Sequence, residues 1–492
     1  MNRIINLIRK YPALSIVLGF QLFRFILLPF MGLMPQDAYY HFYGENFSWS
    51  YFDHPGMIGY LLRIFTLTFG KTVFVVKLAD FIITSLTLLS FYKLAECFLS
   101  KNKLNRAAIL IASTFFISIL SFNSTPDVPL LLFWTLSVLF LYRAIFENKK
   151  ASWIYAGVTM GLAFDSKYTA VLLPFGLILF LIFSSEKRKL LVSPWLFLSL
   201  IIAALVTYPV WYWNYENEFA SFLFQSSERA SSMSELNFKP KNFFGALGHQ
   251  LLLLLPILFS AFLIFTHKYI KRFLTKFKLP GSKILFLLAF FIPTFLGFLS
   301  LTPIYWVKLN WLMPSYITGI IIASIFISDK WVNRQVIFSI VIHLIVCVEI
   351  LFYVIPVKSD DTWVGWRELA KEIELIQEAH PNTFVFADDG YKTTSALNFF
   401  MEDKIYARNI IGLHALHYNY LGDDFKILNG KNAIFVDSDK RFKNDDKRGH
   451  ISPLVNPYFE RCTELEPIII SKNGRKVRKF WVYFCENYKA KP

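Results

Sequence analysis

Residues 12–41 read PALSIVLGFQLFRFILLPFMGLMPQDAYYH, an almost wholly apolar stretch that runs into a polar loop holding Asp37, Tyr39, Tyr40 and His41. A membrane-spanning helix needs about 20 mostly apolar residues, because hydrocarbon offers backbone groups no hydrogen-bond partner. The run 12–34 meets that requirement. Its length, and the lack of a small-residue cleavage site, predict an anchor rather than a removable signal. The same ruler, carried along the chain, gives about eleven spans near 12–34, 73–98, 106–122, 128–146, 151–165, 168–184, 190–211, 246–267, 283–301, 311–328 and 333–356. Composition agrees: 55% of the 492 residues are apolar, 18% aromatic and only 17% charged, where a soluble domain carries about 25% charged residues. Mean hydropathy is +0.44. Intrinsic disorder, a collagen-like repeat and an ordinary soluble enzyme are excluded.

The net charge of +16 suggests nucleic acid until the charges are located. One set of connecting segments, from Arg3, Arg9 and Lys10 to the Asp329–Arg334 loop, carries 20 basic and 3 acidic residues. The opposite set carries 7 basic and 9 acidic. This is the positive-inside pattern, so the N-terminus is predicted to be cytoplasmic and residues 357–492 to lie outside. The membrane part holds +15 of the excess and the remainder only +1. The basic residues orient the chain and meet anionic lipid headgroups, and nucleic acid drops out as a partner.

Residues 1–356 thus read as a transmembrane domain, and residues 357–492 as a soluble extracytoplasmic α/β domain large enough to bury its own core. A helix pattern at Trp363–Ala379 precedes strand-like runs at Thr383–Asp388, Ala433–Asp437, Pro467–Ser471 and Val477–Phe484. Cys462 and Cys485 flank the last two of these strands. In an oxidising compartment they could form a disulfide, the alternative being two buried thiols. There is no Walker loop, no dinucleotide-binding glycine pattern and no zinc-protease helix. Asp437-Ser438-Asp439 has metal-holding spacing, but lies where nucleotide sugars are scarce and reads as coincidental. His414 and His417 have no evident third ligand and read as structural. No metal site is assigned, and a divalent metal remains open.

The chemistry points to the loop after the first span, with Asp37, Tyr40, Asp53 and His54 among many aromatics. A carboxylate partly desolvated by aromatic rings can accept a proton from a hydroxyl, and aromatic faces suit sugar rings. The competing reading is an interfacial aromatic belt with incidental acids. Other external turns carry Asp127, Lys167 with Tyr168, Arg229, and Lys308 with Asn310. Three cations converging there could hold a lipid phosphate; singly, each is equally read as an interfacial residue. Arg24, Lys77, Asp80 and Glu349 fall inside spans, where charges usually face the bundle interior and mark function or pairing.

The order of these motifs resembles one family. Asp37-Ala38-Tyr39-Tyr40, Tyr51-Phe52-Asp53-His54-Pro55, Thr125-Pro126-Asp127-Val128-Pro129-Leu130, Ser166-Lys167-Tyr168-Thr169, Trp213-Asn214 and Asn310-Trp311 are similar to motifs of the GT-C integral-membrane glycosyltransferases. Within these, the resemblance is to the branch of bacterial aminoarabinose transferases and dolichyl-phosphate-mannose–protein mannosyltransferases. It implies a GT-C-like helical membrane fold in a bacterial inner membrane and a polyprenyl-phosphate sugar donor, with no cofactor required. It also implies inverting transfer, on the extracytoplasmic side, to a lipid, glycan or protein acceptor. By position, Asp37 would be the base or orient the acceptor, and Asp53 and His54 would help build the site. Lys167 would contact the donor phosphate, with Arg229 and Lys308 as helpers. Tyr40, Asp127, Tyr168 and Asn310 would line the substrate. Many relatives have an Asp-Glu pair where Gln36-Asp37 stands here, and a second proline where Gly56 stands. The single acid makes Asp53 a rival to Asp37 as the base. A polytopic lipid or sugar transporter is the alternative, and it predicts broken mid-bilayer helices and related halves.

Overall fold

The computed structural model describes residues 10–228, 238–357, 359–439, 442 and 451–490. Among them, six helices are long and apolar enough to cross a membrane: Pro12–Phe30, Val73–Glu96, Asp127–Phe146, Pro240–Lys276, Ser282–Leu301 and Asp329–Phe352. Two bent pairs raise the number to eight: Lys101–Ala112 with Phe115–Phe122, bent by 51°, and Pro194–Val206 with Tyr208–Glu216, bent by 47°. Ala151–Ser166, Tyr168–Phe183 and Met313–Phe326 are shorter helices. Each of the eleven expected spans coincides with one of these helices or bent pairs. The apolar helix Met57–Phe69 has no counterpart among them, because Gly59, Arg63 and two threonines interrupt its apolar pattern.

The chain groups into two compact units: Met1–Leu28, His54–Ile58 and Lys77–Val346 form the first, and Pro29–Asp53, Gly59–Val76 and Cys347–Pro492 the second. In the first, helix Ala151–Ser166 packs between Asp127–Phe146 and Pro194–Val206. Gly157 and Gly161, one turn apart, permit the second contact. A Cβ on Gly157 would lie 2.9 Å from Ile202 Cβ, and one on Gly161 would lie 3.0 Å from the Ala203 carbonyl. Small residues at such a crossing let two backbones approach closely. Phe262, Phe291 and Tyr316, all buried, fill the centre of a neighbouring helix group.

The bends are held by side chains. Where the helix Lys101–Ala112 stops, Arg24 donates to the Ala112 carbonyl (2.6 Å) and to Ser118 Oγ (2.9 Å), and Ser339 Oγ donates to the Ser113 carbonyl (2.6 Å). His343 joins the same network through Ser118 (2.6 Å). Pro240–Lys276 is kinked at Leu255, which has φ of 64° and precedes Pro256; Gln335 Nε2 donates to the Leu254 carbonyl at 2.8 Å. A proline removes a helix donor, so carbonyls near it need another partner. Two of the charges within spans are hydrogen-bonded to neutral groups: Lys77 Nζ donates to the Phe122 carbonyl at 2.5 Å, and Ser124 Oγ to Asp80 at 2.7 Å.

The C-terminal part of the second unit is a six-stranded sheet. Its strands are β1 Thr383–Ala387, β2 Ile405–Tyr406, β3 Asn432–Ser438, β4 Arg461–Glu464, β5 Ile468–Lys472 and β6 Arg475–Glu486. The order is β2-β1-β3-β6-β4, with β5 also on β6; β1 runs parallel to β2 and β3, and the remaining pairs are antiparallel. Alternation along the strands makes two cores. Val385, Ile434, Val482 and Phe480 face Trp366, Leu369 and Leu397 of the helices Trp366–Ala379 and Lys392–Phe400. Phe384, Phe386, Phe435 and Tyr483 face Ile410, Leu428, Phe459 and Tyr488. The short β2 and β4 escape the sequence reading because two to four residues carry too little pattern.

Cys462 and Cys485 sit directly opposite in the β4–β6 register and form a disulfide. A bridge closing a 23-residue separation removes unfolded-state entropy worth about 3 kcal/mol. C462S/C485S, or reduction of the wild type, is therefore expected to lower the unfolding midpoint of the purified protein by several degrees in a thermal melt.

Candidate active site

The second unit builds an acid–tyrosine cluster from the loop after the first helix. Pro35 opens the helix Pro35–Glu45, where its missing N–H costs nothing. Asp37, in the first turn and fully buried, accepts the Met34 backbone N–H at 2.7 Å. A carboxylate is favoured there by the unpaired N–H groups of the helix start. Tyr39 and Tyr43, four residues apart on one face, both donate to Asp53 Oδ1, the former at 2.7 Å. Asp53 itself is 8% exposed. Burial pushes both phenols well above their usual range and the Asp53 charge adds to it, so they stay neutral donors.

Two contacts fix the geometry of this loop. A Cβ on Gly59 would lie 2.6 Å from Tyr43 Cβ, and one on Gly44 would lie 2.9 Å from Arg63 Cβ, so Pro35–Glu45 and Met57–Phe69 cross at glycine. Helix Lys392–Phe400 packs on the other side of Pro35–Glu45. Tyr39 lies 4.5 Å from Tyr391, Phe42 stacks on Tyr418 at 4.5 Å, and the Phe52 N–H donates to His417 Nδ1 at 3.4 Å. Beside the cluster, an open cavity of about 630 Å³ is lined by Phe42, Glu45, Lys71, Asn398, Phe399 and Lys404. There Lys71 pairs with Glu45 at 3.0 Å.

The first unit builds a second polar group. Asp127 begins its helix, and Lys167 follows the end of Ala151–Ser166 in an extended conformation. Lys167 Nζ donates to both Asp127 oxygens at 2.8 Å, with the lysine 4% exposed and the aspartate fully buried. Asn310 Nδ2 donates to Asp127 Oδ2 at 2.5 Å. An ammonium has three donors, and Asp127 takes two. Tyr168 bonds Ser221 at 2.6 Å, and Asn214 ties its own helix to the Phe222 N–H at 3.1 Å.

Of the residues singled out by sequence, Asp127, Lys167 and Asn310 come together in one group. Asp53 joins Tyr39 and Tyr43, and the buried Tyr40 ring lies 5.5 Å from Tyr43. Asp37 lies on the same helix as these tyrosines. His54 is partly buried and directly follows Asp53, and Lys308 is exposed. Arg229 lies outside the described residues. Tyr43, Tyr418 and the packing of His417 were not anticipated. The four-residue spacing of Tyr39 and Tyr43 was a usable helical signal; the distant Tyr418 and His417 gave none.

Comparisons with known proteins meet this geometry. Residues 53–213 match the dolichyl-phosphate-mannose–protein mannosyltransferase family. A lipid A galacturonosyltransferase, RgtD of Rhizobium johnstonii, is 22% identical over 341 residues, 65% of this chain and 66% of that protein. Among solved structures, ArnT from Cupriavidus metallidurans bound to undecaprenyl phosphate aligns over 96% of this chain and 97% of its own, with TM-score 0.61 and 12% identity. An oligosaccharyltransferase of Archaeoglobus fulgidus aligns over 86% of this chain and 69% of its own, with TM-score 0.51 and 13% identity. The chain has the fold of these membrane glycosyltransferases. These likenesses favour the transferase over the transporter, and they make this a multi-pass membrane protein with a C-terminal sheet domain.

Two outcomes follow from this geometry. Burial lowers His41 to about 4 and His417 to about 3, from an ordinary value of 6.5. The folded form stays neutral while the unfolded chain takes up protons, so stability is full above pH 6.5 and falls as pH drops toward 4. Each histidine then contributes a loss of about 3 kcal/mol at pH 4. Thermal melts should shift down between pH 7 and pH 4.5, and H417Q should flatten that slope. Separately, Lys167→Met leaves a buried carboxylate without its cation and should cost about 3 kcal/mol. D127N/K167M should recover part of the loss in the same melts.

Proposed function

We propose that the chain is an inverting glycosyltransferase moving a sugar from a polyprenyl-phosphate-linked donor to an envelope acceptor: a lipid such as lipid A, a glycan or a protein. The reaction takes place on the extracytoplasmic face of a bacterial inner membrane, with the N-terminus cytoplasmic and residues 357–492 outside. The charge asymmetry of the connecting segments supports that orientation. The observation that carries the reading is the pair of buried acids, Asp37 and Asp53, built into one aromatic loop of a GT-C fold.

The two acids differ in what holds them. Two phenols converge on a single oxygen of Asp53, which makes it a fixed anchor that orients the acceptor. Asp37 accepts the Met34 backbone N–H, and we assign it the proton of the attacking hydroxyl. That hydroxyl oxygen forms a bond to the anomeric carbon from the face opposite the lipid phosphate. The carbon–oxygen bond to the phosphate breaks and its electron pair leaves with the polyprenyl phosphate. Cations stabilise the charge developing on the leaving group. Lys167 is the first candidate, through its third ammonium donor, with Arg229 and Lys308 as helpers. Tyr40, His54, Asp127, Tyr168 and Asn310 line the substrate. No cofactor is needed, because the leaving group is already a stable anion. An acceptor phosphate would arrive ionised, and Asp37 would then orient rather than deprotonate.

Purified protein given a polyprenyl-phosphate sugar and membrane acceptors should release polyprenyl phosphate. With a hydroxyl acceptor, D37N should lower turnover about 100-fold or more, the range for a lost general base. D53N and K167A should also lower it. Wild-type turnover in all three variants would sink the site assignment.

A further inference from the structure

The ground around the Asp127–Lys167 pair contains more hydrogen-bond acceptors than donors. Asp165 is 7% exposed, and its Oδ1 atom is buried with no hydrogen-bond partner. Asn123 Oδ1, Thr125 Oγ and Asn310 Oδ1 are buried and without partners too. These atoms belong to one neighbourhood. Asn123 and Thr125 lie in the turn that leads into Asp127, and Asp165 stands two residues before Lys167. The pair joins turn to helix end at 2.8 Å, and Asn310 reaches the same carboxylate at 2.5 Å. The Asn310 amide is oriented by that bond: Asp127 only accepts, so Nδ2 must face it and Oδ1 is turned elsewhere.

Buried polar atoms are nearly always satisfied, because an unmade hydrogen bond in a low-dielectric site costs free energy. Three carbonyl or carboxylate oxygens and one hydroxyl left without partners therefore define the complement they need: a group rich in O–H or N–H donors. A phosphate offers oxygens that only accept, and a polyprenyl tail offers nothing polar. The remaining part of a polyprenyl-phosphate sugar is its sugar ring.

We infer that Asp165, Asn123, Thr125 and Asn310 form a subsite that reads the hydroxyl groups of the donor's sugar. This rests on the proposed donor class and adds which part of the donor these residues meet. Lys167 and the subsite divide the donor between them, the ammonium taking the phosphate and the acceptors taking the ring. Asp165 acts here as a specificity-determining residue, selecting glycosylated over bare polyprenyl phosphate. A sugar that offers a carboxylate at this position cannot satisfy the three carbonyl and carboxylate oxygens, so the groups met there are hydroxyls or an ammonium.

The test measures binding of three probes to the full-length protein in detergent: bare polyprenyl phosphate, polyprenyl-phosphate mannose and polyprenyl-phosphate galacturonate. The wild type should bind at least one glycosylated probe more tightly than the bare lipid. D165L should weaken that glycosylated probe about 10- to 100-fold, the range for lost hydrogen bonds at a buried site, and leave the bare lipid unchanged. D165N, which keeps one acceptor, should fall between. Thr125→Val, close in volume, should give a smaller loss of the same selectivity and guards against poor folding of D165L. Equal weakening of glycosylated and bare lipid in D165L and Thr125→Val would overturn the subsite. So would a wild type that releases polyprenyl phosphate in the turnover assay yet binds all three probes equally. A wild type that neither binds nor turns over any of them would instead sink the donor class itself.

Discussion

Hydrocarbon accepts no hydrogen bonds, and much of the molecule follows from that one constraint. A straight apolar helix satisfies itself, but this chain interrupts its helices at Ala112–Phe115, at Thr207 and at Leu255–Pro256. At Ala112–Phe115 and at Leu255–Pro256 a polar side chain from elsewhere in the chain bonds a backbone carbonyl, and at Thr207 the residue's own hydroxyl donates to the Ala204 carbonyl. Arg24 has no carboxylate partner among its hydrogen bonds; it bonds the Ala112 carbonyl, Ser118 and Gln21. Gln335 does the same at Leu254 and Ser339 at Ser113. Arg24 resembles a functional charge in the sequence, yet its contacts are those of a structural support.

The two acid groups obey the same rule with different chemistry. Asp53 is held by phenols, which donate to it and bring no charge of their own. Asp127 is held by an ammonium and an amide, so its charge is already cancelled. A carboxylate fixed by neutral donors suits the positioning of a hydroxyl. A cancelled pair suits rigidity, with one remaining ammonium donor as its chemical output. Equal burial therefore does not imply equal roles, and the identity of the hydrogen-bond donor separates them.

Much of this was legible in the sequence, for identifiable reasons. Span positions follow from apolar run length, and strand positions from alternation at residues such as Val385, Ile434 and Val482. Asp37, Asp53, Asp127 and Lys167 were visible because acids and lysines are conspicuous between apolar runs. The partnership of Lys167 with Asp127 was not visible, because 40 residues separate them and no period connects them. The donors on Asp53 were only half visible: Tyr39 and Tyr43 share a helix face, but nothing in the sequence ranks them above the other 22 tyrosines. Glycines 44 and 59 carried no sequence signal, since close approach shows only once two helices are placed.

The second unit bears on what the C-terminal residues are for. It draws its members from three separated stretches, with the acid loop and the sheet domain among them. Tyr391 and Tyr418 pack on Tyr39 and Phe42, and His417 accepts from Phe52 next to Asp53. The sheet fixes the helix Lys392–Phe400 and the turn carrying His417, and those hold the aromatic shell in which Asp53 has two phenol donors. A carboxylate that lost this shell would be hydrated, and a hydrated carboxylate is a poor positioning device because water competes for every bond it makes. On that physical ground the C-terminal domain is part of the acid site's structure, in addition to any part it plays in recruiting an acceptor.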